Sequence, residues 1–160
     1  MNGRKKDSHR QSWLDKDVEA HWDSVADIYI RENNKVKNVH DQRFRETIDY
    51  LNLQGGIKIL NITSRDCEAD DYIRKKMPDA EVVNAEISEG LIQEARKIRP
   101  NVKQVKISTY STLPFSDDEF HRVVSLETLE HVADPIAFLS ELHRVSTPDA
   151  LLVLSCPPAT

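Results

Sequence analysis

Glycine is scarce in this chain, with four among 160 residues. The scarcity matters most in "KILNITSRDCEADDYI", where a strand carrying Ile59, Leu60 and Ile62 runs through a short polar turn into a helical segment. A strand, a turn and a helix in that order commonly cradle a cofactor, and the turn normally needs residues without a side chain. Thr63, Arg65 and Cys67 stand there instead. A phosphate loop is not apparent, and the glycine fingerprint of a nicotinamide-binding domain is absent.

Other absences narrow the field further. Two cysteines, Cys67 and Cys156, are too few for a disulfide scaffold and match no zinc spacing. There is no apolar leader and no run long enough to span a bilayer, so no membrane span and a cytoplasmic location are expected. The net charge of -5 argues against a nucleic-acid backbone as partner. The one basic cluster, Arg4, Lys5, Lys6, His9 and Arg10, reads as a solvated tail.

What is present is an ordinary globular composition, 39% apolar and 31% charged. Residues 1–20 read as a polar tail leading into a first helix, and 21–160 as one domain. Apolar residues from Trp13 to Ile28 recur at intervals near three and four, which predicts an amphipathic helix. Phe44, Ile48 and Leu51 predict a second, capped by Asp41 and ended by Gly55-Gly56. Strand-like runs follow at 58–62, 81–85, 102–107, 122–126 and 151–155. Helical runs fall between them at about 68–77, 89–98 and 135–145, the last with Asp134 as N-cap and Pro135 at its first position. Runs such as "RVVSL" and "LLVLS" are apolar on both faces, as covered parallel strands are. The expected fold is α/β, a doubly wound parallel sheet in three layers. Its strand order would hold Cys67 and Cys156 roughly 9–10 Å apart, beyond disulfide reach.

The later half, "LPFSDDEFHRVVSLETLEHVADPIAFLSELHRVSTPDALLVLSCPP", resembles class I S-adenosylmethionine-dependent methyltransferases, in particular their small-molecule, ubiquinone-type O-methyltransferase branch. The residues that carry the likeness are Leu113-Pro114-Phe115, Phe120, Leu129-Glu130-His131, Asp134-Pro135 and Arg144-Val145 with Pro148. Upstream the likeness runs through "HWDSVADIYI", so it spans about residues 21–158. It implies a Rossmann-like sheet, S-adenosylmethionine as cofactor and a small-molecule acceptor. It also implies a helix and two further strands after the fifth strand, which this sequence does not supply.

The resemblance places the cofactor-binding set at Asn61, Thr63, Arg65, Cys67, Glu86, Thr109, Ser125 and Leu126. The family's Asp-x-Gly-x-Gly-x-Gly turn falls on Asn61 through Cys67, with all three glycines replaced. Arg65 would project a cation into or beside the sulfonium space, or out to solvent. The adenine-facing acid falls on neutral Thr109, the Phe-Asp becomes Phe120-His121, and the Pro-Gly-Gly turn becomes Pro148-Asp149-Ala150. Glu86 remains, either as a ligand placed to accept hydrogen bonds from a ribose or as a relic of one. Ser125 and Leu126 would line the methionine pocket or simply pack.

Glu127, Glu130 and His131 are spaced i, i+3 and i+4, one face if the segment is helical. The resemblance associates such a set with a divalent cation and makes these three the catalytic candidates, with Glu127 or His131 facing the acceptor. With no fourth ligand in sight, the expected role of Glu130 and His131 is to cap and orient the turn at the site's rim, and no metal is assigned. His21, His40 and His143 are expected at the surface or at an edge. Two functions stay open: a methyltransferase-like domain with weak or lost cofactor binding that serves as a binding or regulatory unit, and an active small-molecule methyltransferase. For the first, a protein partner or a second copy would pair along the fifth-strand edge.

Overall fold

Alternation along β1 (Lys58–Ile62) sets the layering. Ile59 packs with Ile48, Leu51 and Ile73 in one buried cluster, whereas Leu60 and Ile62 pack with Phe138, Leu142 and Val145 in another. Successive side chains of a strand point to opposite faces, so a strand apolar at every such position must be covered on both. The computed structural model describes residues 13–156, so the basic cluster at 4–10 and residues 157–160 lie outside the described residues.

The remaining strands are β2 (Glu81–Glu86), β3 (Gln104–Lys106), β4 (Phe120–Leu126) and β5 (Ser146–Ser155). They form one sheet in the order β3-β2-β1-β4-β5, every pair parallel. This is the doubly wound arrangement that the sequence implies. Helices α1 (Asp15–Lys35) and α2 (Lys37–Tyr50) precede the sheet. Crossover helices α3 (Glu68–Lys76), α4 (Glu89–Ile98) and α5 (Pro135–Val145) follow β1, β2 and β4. Among the described residues no helix is long and apolar enough to cross a membrane.

Two starts obey simple capping chemistry. Asp134 Oδ1 accepts from the N–H groups of Ile136 and Ala137, and Ser88 Oγ accepts from Leu91 at 3.0 Å. Other boundaries differ from the sequence expectation. The first helix starts at Asp15, within the amphipathic stretch from Trp13, but runs on past Ile28 to Lys35, and its Val18 is buried in the main core. Helix α2 begins four residues before Asp41, which caps nothing and instead accepts the Tyr72 hydroxyl at 2.6 Å. The same helix ends at Tyr50, ahead of Gly55-Gly56. The glycines shape the later turn, where Gly56 has φ 79°. At the far end, the Pro-Asp-Ala segment that replaces a glycine turn has no left-handed residue, so the chain stays extended and β5 starts at Ser146. A register irregularity between Phe120 and Arg122 accommodates Pro148.

Candidate functional site

The carboxyl ends of β1, β2 and β4 meet below α1, and the turn after β1 lies at their centre. Thr63, Arg65 and Cys67 adopt φ values of 58°, 49° and 63°, all left-handed. The backbone therefore takes a path natural for glycine at the three positions where the resemblance puts glycine, while carrying side chains. Ser64 N–H donates to the Ala85 carbonyl at 2.9 Å, and Cys67 N–H to the Ser64 carbonyl at 2.7 Å. Gln104 Nε2 bridges Ser64 Oγ and the Arg65 carbonyl at 2.8 and 2.6 Å. Burial pushes the Cys67 thiol up to about 12, so it stays protonated.

Arg65 folds inward. Its guanidinium carbon lies 5.3 Å from the Tyr29 ring centroid and 5.6 Å from that of Trp22. One terminal nitrogen donates to Tyr29 Oη at 2.8 Å and the other to the Glu127 carbonyl at 3.0 Å. Trp22 in turn meets Tyr29 and His131 edge-on, with centroids 5.4 and 5.5 Å away. Burial opposes the Arg65 charge, but Tyr29, Glu86 and Glu127 more than restore it.

Glu86 is fully buried at the end of β2. Its carboxylate accepts from the Arg65 N–H at 2.7 Å, from Ile87 at 2.8 Å and from Ser88 at 3.0 Å. Burial raises its affinity for a proton, and these three donors work against that. A carboxylate offers about four acceptor positions, and three are taken within the fold. Tyr110 lies close enough for the Glu86 charge to add to the burial that raises the Tyr110 phenol. Thr109 donates to Asp15 Oδ2 at 2.5 Å, and Tyr110 N–H donates to the same oxygen at 2.8 Å. Thus Asp15, at the start of α1, places an acid beside the neutral residue that replaced one.

Asn61 belongs to a buried chain of amides: it donates to Asn84 at 2.8 Å, and Asn84 donates to Asp70 at 3.1 Å. Ser125 and Leu126 are buried at the end of β4. The cavity beside the turn, lined by Tyr29, Asn61, Thr63, Arg65 and Leu126 among others, measures about 20 Å³, room for little more than one water. A groove of about 290 Å³ opens beside Thr109, between Leu14, Tyr110 and Ala133.

The helical face expected for Glu127, Glu130 and His131 does not form. Glu127 has φ 49° and only Leu129–His131 makes a short 3-10 turn, because the backbone N–H of Glu127 is held by the Ser155 carbonyl at 2.9 Å. The Glu127 carboxylate pairs with Arg43 of α2, while Glu130 and His131 stand 3.9 Å apart at the surface. Burial lowers the His131 imidazole below its ordinary range, with Glu130 opposing. Among the described residues no three His, Cys, Asp or Glu side chains are grouped to hold a metal. His21 and His143 are exposed as expected, but His40 is half-buried beside Arg43.

Sequence reasoning missed what α1 contributes. Asp15, Glu19 and Asp23, spaced four apart, reach Thr109, Lys106 and Ser88 respectively, and Tyr29 meets Arg65. That i, i+4, i+8 stripe of acids was the available signal, although acids on a helix ordinarily face solvent.

Comparison with known proteins agrees with the fold and the motifs. Residues 66–154 match a family model described as a methyltransferase domain. A demethylmenaquinone methyltransferase of Beutenbergia cavernae is 32% identical over 157 residues, covering 91% of this chain and 62% of that protein. A ubiquinone biosynthesis O-methyltransferase of Ruegeria pomeroyi is 34% identical over 80 residues, 48% of this chain and 32% of that protein. Among solved structures, the [4+2]-cyclase SpnF superposes with a TM-score of 0.74 at 15% identity, over 89% of this chain and 60% of its own. A putative methyltransferase in complex with the Haloferax volcanii Trm112 activator superposes at 0.65 and 18% identity, over 83% and 58%. At such identities these structures speak for the fold alone, and the chain spans about three fifths of the length of its Beutenbergia relative. Strand order, the turn after β1 and the family match together place this chain in the class I S-adenosylmethionine-dependent methyltransferase family.

Proposed function

We propose that this chain is a methyltransferase-fold domain that no longer holds S-adenosylmethionine usefully and acts as a binding or regulatory unit. The observation that carries this reading is the turn after β1, with three side chains on left-handed backbone where cofactor approach requires none. Three further features support it. A guanidinium sits among the aromatic rings below α1, where its charge would oppose a sulfonium. Most of the acceptor capacity of Glu86 is used by backbone N–H groups, and Thr109 is tied to Asp15. The residues present do not fit the family cofactor, so no methyl-transfer step is derived.

A binding role has a candidate surface. Among the described residues β5 pairs with β4 alone, and Leu151 on it is 38% exposed. Beside it a groove of about 310 Å³ runs between α2 and Val153-Leu154. An unpaired apolar strand invites a further strand, from a protein partner or a second copy of this chain. The solved methyltransferase bound to a protein activator offers a parallel for the former.

The second reading, an active enzyme on a small-molecule acceptor, is favoured by one observation: the turn keeps the left-handed path. Thermal melting separates the two. Wild-type protein should melt unchanged in S-adenosylmethionine, and the triple variant Thr63→Gly, Arg65→Gly, Cys67→Gly should gain stability, about 2.7 kcal/mol at a hundredfold excess over Kd. A wild-type melting point raised by micromolar cofactor, and no longer raised after Glu86→Ala, would establish the enzyme reading instead.

A further inference from the structure

We propose that the space under α1 is a guanidinium-binding site whose resident ligand is the chain's own Arg65 side chain. This rests on the reading that the site does not hold S-adenosylmethionine, and it names what holds the site closed. The geometry is that of a receptor. Two aromatic rings, Tyr29 and Trp22, set edge to face, lie together on one side of the guanidinium carbon at 5.3 and 5.6 Å, within the range for cation–π attraction. Two acceptors, Tyr29 Oη and the Glu127 carbonyl, take one N–H each from different nitrogens of the fork. The third nitrogen, Nε, is buried without a hydrogen-bond partner among the described residues.

The walls are set independently of their occupant. Trp22 is held edge-on by His21, Tyr29 and His131. The Glu127 backbone is tied to β5 through Ser155. Helix α1, which carries both aromatic residues, is anchored by Asp15 to the loop after β3 and by Asp23 to the start of α4. Truncating Arg65 therefore leaves rings and acceptors arranged for a planar cation that can donate hydrogen bonds. A sulfonium has no N–H to give them. The site selects a guanidinium over a sulfonium of similar charge, the reverse of what the family cofactor needs.

The test uses the full chain in a Trp13→Phe background, which leaves Trp22 as the sole tryptophan reporter. With Arg65→Ala, methylguanidinium should change Trp22 fluorescence saturably in the millimolar range. Trimethylsulfonium should bind roughly tenfold more weakly, and the Arg65-containing protein should respond to neither. No saturable response in a folded Arg65→Ala protein, or equal responses with Arg65 present and absent, would overturn the proposal. Should Arg65→Ala fail to fold, the wild-type protein decides. Its Arg65 Nε–H resonance, assigned by its loss in Arg65→Lys, should be shifted upfield by the rings and exchange slowly with solvent. A random-coil shift with fast exchange would overturn the proposal equally. Micromolar S-adenosylmethionine binding by the wild type would refute the loss of cofactor binding instead, so the two failures are told apart.

Discussion

Left-handed backbone at a residue with a Cβ costs on the order of 1–2 kcal/mol, and the turn after β1 incurs that cost at Thr63, Arg65 and Cys67. Arg65 recovers its share through its contacts with two aromatic rings, worth about 0.5–2 kcal/mol together, and two charge-assisted hydrogen bonds. Arg65→Gly should therefore destabilise the fold by about 1–3 kcal/mol despite relieving strain, as chemical denaturation would show. Cys67 offers a second check at this scale. Its thiol is buried and raised to about 12, whereas Cys156 is exposed, and both are free. A thiol reagent at pH 8 should modify one cysteine in the native protein and two after unfolding. Two fast native thiols would show that the turn opens readily. The left-handed turn positions were legible as glycine replacements, but the inward course of Arg65 was not. It depends on Trp22 and Tyr29, more than thirty residues upstream, which periodicity identifies only as helix residues.

Among the elements, α1 is the one whose position the site depends on, and its approach to α4 is unusually close. A Cβ on Gly90 would lie 3.1 Å from the Asp23 Cα and 3.2 Å from the Ala26 Cβ and the Asp23 carbonyl oxygen, so α1 would have to give by a few tenths of an ångström. Gly90→Ala should accordingly cost about 1–3 kcal/mol, although alanine in a helix is ordinarily favoured over glycine. Calorimetric melting checks the sign, and an unchanged or raised melting point would mean that α1 docks loosely. At the opposite pole, Arg144 binds Glu141 and the carbonyls of Leu113 and Phe115, and Glu141 also accepts the Leu113 N–H. Arg144 holds the Glu141 carboxyl below its ordinary range. The folded state then binds fewer protons than the unfolded one, so this stabilisation is present above the ordinary carboxylate value and lost as pH falls through the depressed one. Glu141→Gln should destabilise by on the order of 1 kcal/mol at pH 7, partly screened by solvent, and flatten the acid limb of the stability profile. Strands and crossover helices were legible because apolar runs and caps such as Asp134 are local signals. Asp41 misled because a capping residue is also a good partner for a distant hydroxyl. The Glu127, Glu130 and His131 spacing misled because a helix was assumed where Glu127 turns left-handed.

At the scale of the sheet, the outer strands among the described residues are the three-residue β3 and the ten-residue β5. An edge with the length and apolar character of β5 should make the chain associate as its concentration rises, with Leu151→Lys restoring the monomer in sedimentation experiments. A wild-type chain that stays monomeric throughout would remove β5 as the docking edge. The central claim is that the family fold survives while its cofactor site is filled from within. Calorimetric titration of the wild-type protein with S-adenosylmethionine tests it most directly. Losing about 3–4 kcal/mol would move a micromolar affinity into the millimolar range, so no saturable heat is expected up to hundreds of micromolar. A saturating isotherm with a micromolar Kd, abolished by Glu86→Ala, would contradict it.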